Sequence, residues 1–149
     1  MLNDLLNQQT VQITDRSDLS WQDAIKLAAE PLVTNGSITE QYVTSMIDVV
    51  DNQGPYINIG DHIALAHTRP ENGSNRISLA LLKTSHTVDL VNHDHPITLW
   101  FVLSAVDNES HLEVIKQLMS LLTDEKKVEA LMNSSSVDAI LNAISQTVS

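Results

Sequence analysis

Apolar positions along the chain change their spacing twice, from helical to strand-like and back. After Ser20-Trp-Gln-Asp23, an N-cap with an acid in the first turn, Trp21, Ala24, Ile25, Ala28 and Leu32 follow at helical spacing. Pro31 is expected to kink or shorten this helix, and Asn35-Gly36 to end it. A second helix is expected from Thr39, turning Val43, Met46, Ile47 and Val50 inward until Asn52-Gln-Gly-Pro55 breaks it. The middle of the chain then holds short runs rich in β-branched and aliphatic residues between turn signals. They predict strands over 56–59, 63–66, 76–83, 88–91 and 97–105. Ile97-Thr-Leu-Trp-Phe-Val-Leu103 is almost continuously apolar, as a strand covered on both faces would be.

The last third returns to helix. Leu112, Ile115, Leu118, Met119 and Leu122 mark one expected buried face. A short helix over 124–132 follows, then a final one carrying Val137, Ile140, Leu141 and Ile144, capped by the serines at 134–136. Helices, strands and helices around one sheet predict a layered α/β domain over residues 1–149, with no linker or repeat to divide it. The sheet is expected to be mixed, because several connections are too short for parallel crossovers.

Composition narrows the class. A chain of 149 residues, 42% hydrophobic with 4 Gly and 4 Pro, is long enough for a core and too apolar for disorder. The absence of cysteine excludes disulfides, thiolate catalysis and Cys-ligated zinc. The first residues carry no basic, apolar leader, and no segment has the roughly 20 apolar residues of a spanning helix. A soluble, cytoplasmic protein with no direct membrane insertion is the expectation. Nineteen acids against 8 bases give a net charge of −11, which repels phosphate backbones and argues against nucleic-acid binding.

The candidate chemistry lies in the histidines. Ile63 to Ala66 reads as an apolar strand that delivers His67 to its end, where Thr68-Arg69-Pro70 stops both sheet and helix. Histidine is the natural base, nucleophile or ligand near neutral pH. His111 follows Ser110 in the first turn of a helix, where free N–H groups and the dipole favour an anion. The plain alternatives are a hydrogen-bonded turn histidine and an exposed first-turn one. His93 and His95, with His62 or Asp61, have a spacing open to zinc or nickel, though such a loop is more often a solvated turn. No Gly-x-Ser-x-Gly elbow and no Gly-rich phosphate loop occurs, so the sequence holds no site for a nucleotide phosphoryl donor.

Gly54-Pro-Tyr56, then Ile-Ala-Leu-Ala-His67-Thr-Arg-Pro-Glu71, with Asn108-Glu-Ser-His111 opening a helix, resembles the mannitol/fructose-type IIA component of the bacterial phosphoenolpyruvate-dependent sugar phosphotransferase system. Within it the likeness is to the ascorbate-specific branch, through Gly-Pro-Tyr, His-x-Arg-Pro-Glu and the Val91-Asn-His93 turn. The resemblance implies a mixed sheet with helices on both faces. It also implies a phosphocarrier: His67 takes a phosphoryl group from the phosphohistidine of HPr and passes it to a IIB component, for uptake of a sugar such as ascorbate or a pentitol. His111 would orient the phosphoryl group, and no cofactor or metal is required. Members of the mannitol type carry an arginine in the helix before the histidine. Residues 46–52 contain none, which leaves Arg69 as the candidate cation. Alanine at 66 also replaces the proline common before the histidine. Tyr56, Ile57 and Ile59 are expected to form an apolar rim for HPr. The alternatives are a regulatory relative whose phosphorylation state controls a partner, and a small protein binding metal through histidine.

Overall fold

Covering both faces of β5 (Pro96–Ser104) puts it in the middle of a five-stranded sheet in the order β1-β4-β5-β3-β2. The computed structural model describes residues 2–145. On one side of β5 runs β4 (Ser78–Asp89), antiparallel, and then β1 (Val11–Thr14), parallel to β4. On the other side runs β3 (Ile63–Ala66), parallel to β5, and then β2 (Asn58–Gly60), antiparallel to β3. The sheet is therefore mixed, as the short connections required.

Alternation along the strands splits the core in two. Ala64, Ala66, Ala80, Leu82, Trp100 and Val102 face α2 (Trp21–Thr34) and α3 (Glu40–Gln53). Ile63, Leu65, Leu79, Leu81, Phe101 and Leu103 face the other layer. That layer comprises α1 (Leu2–Leu5), α4 (Asn108–Leu122), α5 (Glu125–Asn133) and α6 (Val137–Ser145).

Local signals act much as expected. Ser20 and Asp23 form a reciprocal capping box, and Thr39 caps α3 by accepting from the Tyr42 N–H. At the other end of α3, Gly54 takes φ 88°, a left-handed conformation that favours glycine. Pro31 does not end α2, because the carbonyl it orphans is rescued. The Leu27 oxygen, with no N–H at residue 31 to bond, accepts instead from Gln12 Nε2 of β1 at 2.7 Å.

Three readings need correction. The runs over 76–83 and 88–91 are one strand, β4, whose register with β5 shifts between Lys83 and Val88. The hydroxyl-rich residues taken for a turn stay extended and bulge outward, with Ser85, His86 and Thr87 exposed. Strand β1 has only the four-residue alternation Val11-Gln-Ile-Thr14, too short to stand out in the sequence, and forms by pairing with β4. In α4 the buried residues are Val114, Leu118 and Leu121, while Leu112 is 65% exposed. The helix is rolled so that its first turn serves the end of the sheet.

Candidate active site

Parallel pairing of β3 with β5 brings two chain segments to one edge of the sheet. Ala66 lies opposite Val102, so residues following β3 and β5 emerge side by side at the strands' carboxyl ends. That edge is where open α/β sheets place ligands. His67 is the first residue after β3, and the loop after β5 leads within a few residues to α4 and His111. Their ring centroids are 6.2 Å apart, and Tyr56 packs edge-on against His67 with ring centroids 6.0 Å apart. His67 and His111, with Tyr42, Thr68, Pro70, Ala105, Asp107 and Asn108, line a cavity of about 110 Å³. At roughly 30 Å³ per water molecule, it has room for a small oxyanion.

The tautomer of His67 follows from its partner. Its Nδ1 lies 3.0 Å from the Leu65 carbonyl oxygen, which can only accept. Nδ1 therefore carries the proton, and Nε2 of the neutral ring carries the lone pair. In His111, burial pushes the imidazole pKa down, and the nearby His67 adds to the effect. A neutral His111 beside His67 avoids two adjacent cations and leaves one ring N–H to donate.

Beneath the histidines the support is uncharged. Tyr42 from α3 is buried, and its hydroxyl donates to the Leu103 carbonyl at 2.7 Å and accepts from the Thr68 N–H at 3.3 Å. Burial pushes this phenol up to about 12. The Thr68 Oγ1 lies 2.9 Å from Ser45 Oγ, and Asn72 Nδ2 donates to both, at 2.9 Å to Ser45 and 3.2 Å to Thr68. Helix α3 supplies no arginine or lysine.

Two expected donors stand elsewhere. The Ser110 N–H at the start of α4 is taken by the Asp107 carboxylate at 2.7 Å, a bond that holds the Asp107 pKa below the usual carboxylate range. The Arg69 side chain is 82% exposed, with its guanidinium 3.9 Å from Glu71, and it does not line the cavity. The apolar rim also differs from expectation. Tyr56 is 42% exposed, but Ile57 is buried at 1% and Ile59 is only partly exposed. Val106 and Leu112, flanking the start of α4, take their place on the surface.

The chain is similar throughout its length to one protein family. Residues 4–147 match the family model described as the phosphoenolpyruvate-dependent sugar phosphotransferase system, EIIA 2. The chain belongs to this family. Among the relatives of this EIIA type-2 protein is the mannitol-specific cryptic phosphotransferase enzyme IIA of Escherichia coli. Its solution structure is 30% identical, with 97% of this chain and 98% of that one covered and a TM-score of 0.90. The ascorbate-specific EIIA component of Escherichia coli K12 is 30% identical over 131 residues, 86% of this chain and 84% of its own. The complex of enzyme IIAMTL and phosphorylated enzyme IIBMTL from Escherichia coli contains a chain 26% identical, covered at 95% and 97%, with a TM-score of 0.80. This EIIA is thus a phosphotransferase-system component with the fold of the mannitol-type proteins.

The alternative metal site loses its ligand set. His62 Nδ1 pairs with Asp61 at 2.9 Å, His95 Nδ1 with Asn58 at 2.8 Å, and His93 Nε2 lies 3.5 Å from Asp94. Among the described residues no three such side chains converge to hold an ion. Of the residues around the cavity, Tyr42, Ser45, Thr68, Asn72 and Asp107 were absent from the sequence-based candidates. Only Asp107 left a local trace, as an N-cap residue before Asn108-Glu-Ser.

Proposed function

We propose that this EIIA carries a phosphoryl group on Nε2 of His67, receiving it from the phosphohistidine of HPr and passing it to a IIB component. The observation that carries the reading is the Nδ1–H bond to the Leu65 carbonyl, which puts the lone pair of the neutral ring on Nε2, in a residue that shares a cavity with His111. The lone pair of Nε2 forms the new N–P bond while the donor's N–P bond breaks, and its electron pair returns to the donor imidazole. The His67 Nδ1 proton stays in place, balanced by the proton already on the donor ring, so no general base is needed. The transition state is loose, with charge spread over three equatorial oxygens, and catalysis is mainly positioning and donation to those oxygens. His111 donates from one side. Arg69, exposed two residues from the acceptor, supplies positive charge by swinging over the phosphoryl group once a partner covers the site.

Tyr56, Val106 and Leu112 are exposed by 42%, 49% and 65%; Tyr56 packs edge-on against His67, and Leu112 follows His111 in α4. Exposed apolar side chains near a shallow polar site suit a partner that docks, exchanges the group and leaves. HPr and the IIB component would use this surface in turn, in the cytoplasm, where the chain of transfer begins from phosphoenolpyruvate. The sugar itself, of the ascorbate or pentitol kind, would be chosen by the membrane component.

The test is phosphorylation of the purified protein by phosphoenolpyruvate, enzyme I and HPr, beside the His67→Ala variant. One acid-labile, alkali-stable phosphate on the wild type and none on the variant is expected. Equal labelling of both would move the site to another histidine and sink the assignment.

A further inference from the structure

The geometry points to Thr68 as a further catalytic residue, its hydroxyl donating to a phosphoryl oxygen on His67, with Ser45 and Asn72 as the positioning residues that free that proton. The inference rests on phosphorylation at His67. It starts from a count of protons in the Ser45–Thr68–Asn72 triangle. Asn72 Nδ2 donates to Ser45 Oγ at 2.9 Å and to Thr68 Oγ1 at 3.2 Å, so both hydroxyl oxygens act as acceptors towards it. The two hydroxyls, 2.9 Å apart, share one further bond in which either is the donor. One hydroxyl proton is therefore left over.

Which hydroxyl keeps it is decided by the surroundings. Thr68 lines the cavity with His67 and His111, whereas Ser45 and Asn72 do not. A phosphoryl oxygen gives the spare proton a strong acceptor on the Thr68 side only. Ser45 then donates to Thr68, Thr68 accepts from both neighbours, and its own O–H points at the phosphate. A hydroxyl that accepts two hydrogen bonds is a stronger donor, because each bond polarises the next.

The device also answers the chemistry of α3, which has no cationic side chain to offer a dianion. The Ser110 N–H, another natural anion donor, is already bound by Asp107. Thr68 is moreover fixed through its backbone, its N–H held by Tyr42 at 3.3 Å. Position and proton supply are thus both built into residues outside the histidine pair.

The experiment compares wild type, Thr68→Val, Thr68→Ser and Ser45→Ala in HPr-dependent phosphorylation, together with a 31P NMR titration of each phosphorylated protein. Thr68→Val keeps shape and leaves the Ser45–Asn72 bond intact. Loss of a single oxyanion donor in a partly open site should slow transfer roughly tenfold, below the cost in a sealed one. Loss of a donor to the charged form should also raise the second pKa of the phosphoryl group by roughly half a unit. Thr68→Ser should restore both readouts, and Ser45→Ala should fall between, at roughly a threefold slower rate. A purely structural role for Thr68 would not move the phosphate pKa. Wild-type rate and pKa in Thr68→Val overturn the inference, as does a Thr68→Ser variant no better than Thr68→Val. Should Thr68→Val fail to fold, Ser45→Ala decides alone, and wild-type behaviour on both readouts overturns the relay. Failure of the wild type to accept phosphate on His67 is a different result, which removes the underlying assignment and this inference with it.

Discussion

Replacing Tyr42 with phenylalanine removes one oxygen atom from beneath the site and tests how the end of β3 is held. The Tyr42 side chain is 1% exposed, and its hydroxyl joins the Leu103 carbonyl at 2.7 Å to the Thr68 N–H at 3.3 Å. Phenylalanine keeps the ring and its packing, so no cavity of consequence opens. What it loses is the partner of two backbone groups. An unsatisfied buried polar group costs about 1–3 kcal/mol. The Leu103 bond is short and buried and should account for most of that, whereas Thr68 is half-buried and regains part of its loss through water. A net destabilisation of about 2 kcal/mol follows. With a urea m-value of about 2 kcal/mol per molar, the unfolding midpoint should fall by about 1 M with the m-value unchanged. The pH dependence supplies a second reading. The phenol's pKa is raised from 10.0 to about 12, so the folded state favours the neutral form. The corresponding stability is complete below pH 10 and is lost as pH rises from 10 towards about 12. Tyr42→Phe should flatten that alkaline loss. A variant whose urea midpoint lies within about 0.2 M of wild type would refute the argument, since the hydroxyl would then be replaceable at no cost.

Asp107→Asn keeps a side chain able to cap α4 and removes a negative charge from the cavity wall. Phosphorylation by HPr should shift several-fold toward the phosphorylated form, read as the equilibrium ratio of the two phosphoproteins. The pKa of His111 is lowered from 6.5 by burial and by His67, so the unfolded chain takes up this proton first. Its contribution to stability is present above pH 6.5 and is lost as pH falls through the lower folded value. NMR titration of the ring should show that value below 6.5, and phosphorylation should move it upward through attraction to the dianion. Gly73 has φ 132°, and a Cβ there would stand 2.1 Å from Thr39 Oγ1, so Gly73→Ala should cost about 3 kcal/mol in urea unfolding. Leu112→Ser should leave the unfolding midpoint unchanged, since the side chain is 65% exposed, yet raise the apparent KM for phospho-HPr.

The sequence by itself determined what depends on neighbours in the chain. The capping box at Ser20, the Thr39 cap, the stop at Gly54 and the strand that ends at His67 are interactions among residues a few positions apart. So is the nearly continuous apolar run of β5, which suits a strand covered on both faces. The motif around His67 carried the family for the same reason, as a run of adjacent residues. The tertiary structure decided what depends on pairing across the chain. Only the parallel register of β3 on β5 brings His67 within 6.2 Å of His111, residues far apart in sequence. The same packing rolls α4 so that Leu112 faces outward, although its spacing fits the apolar face. It also turns Arg69 into solvent, fills the start of α4 with Asp107, and closes Ser45, Thr68 and Asn72 into one hydrogen-bonded triangle. A hydroxyl or an amide leaves no periodic trace in a sequence. Its role is set by the donors and acceptors that separate parts of the chain bring within hydrogen-bonding distance of it.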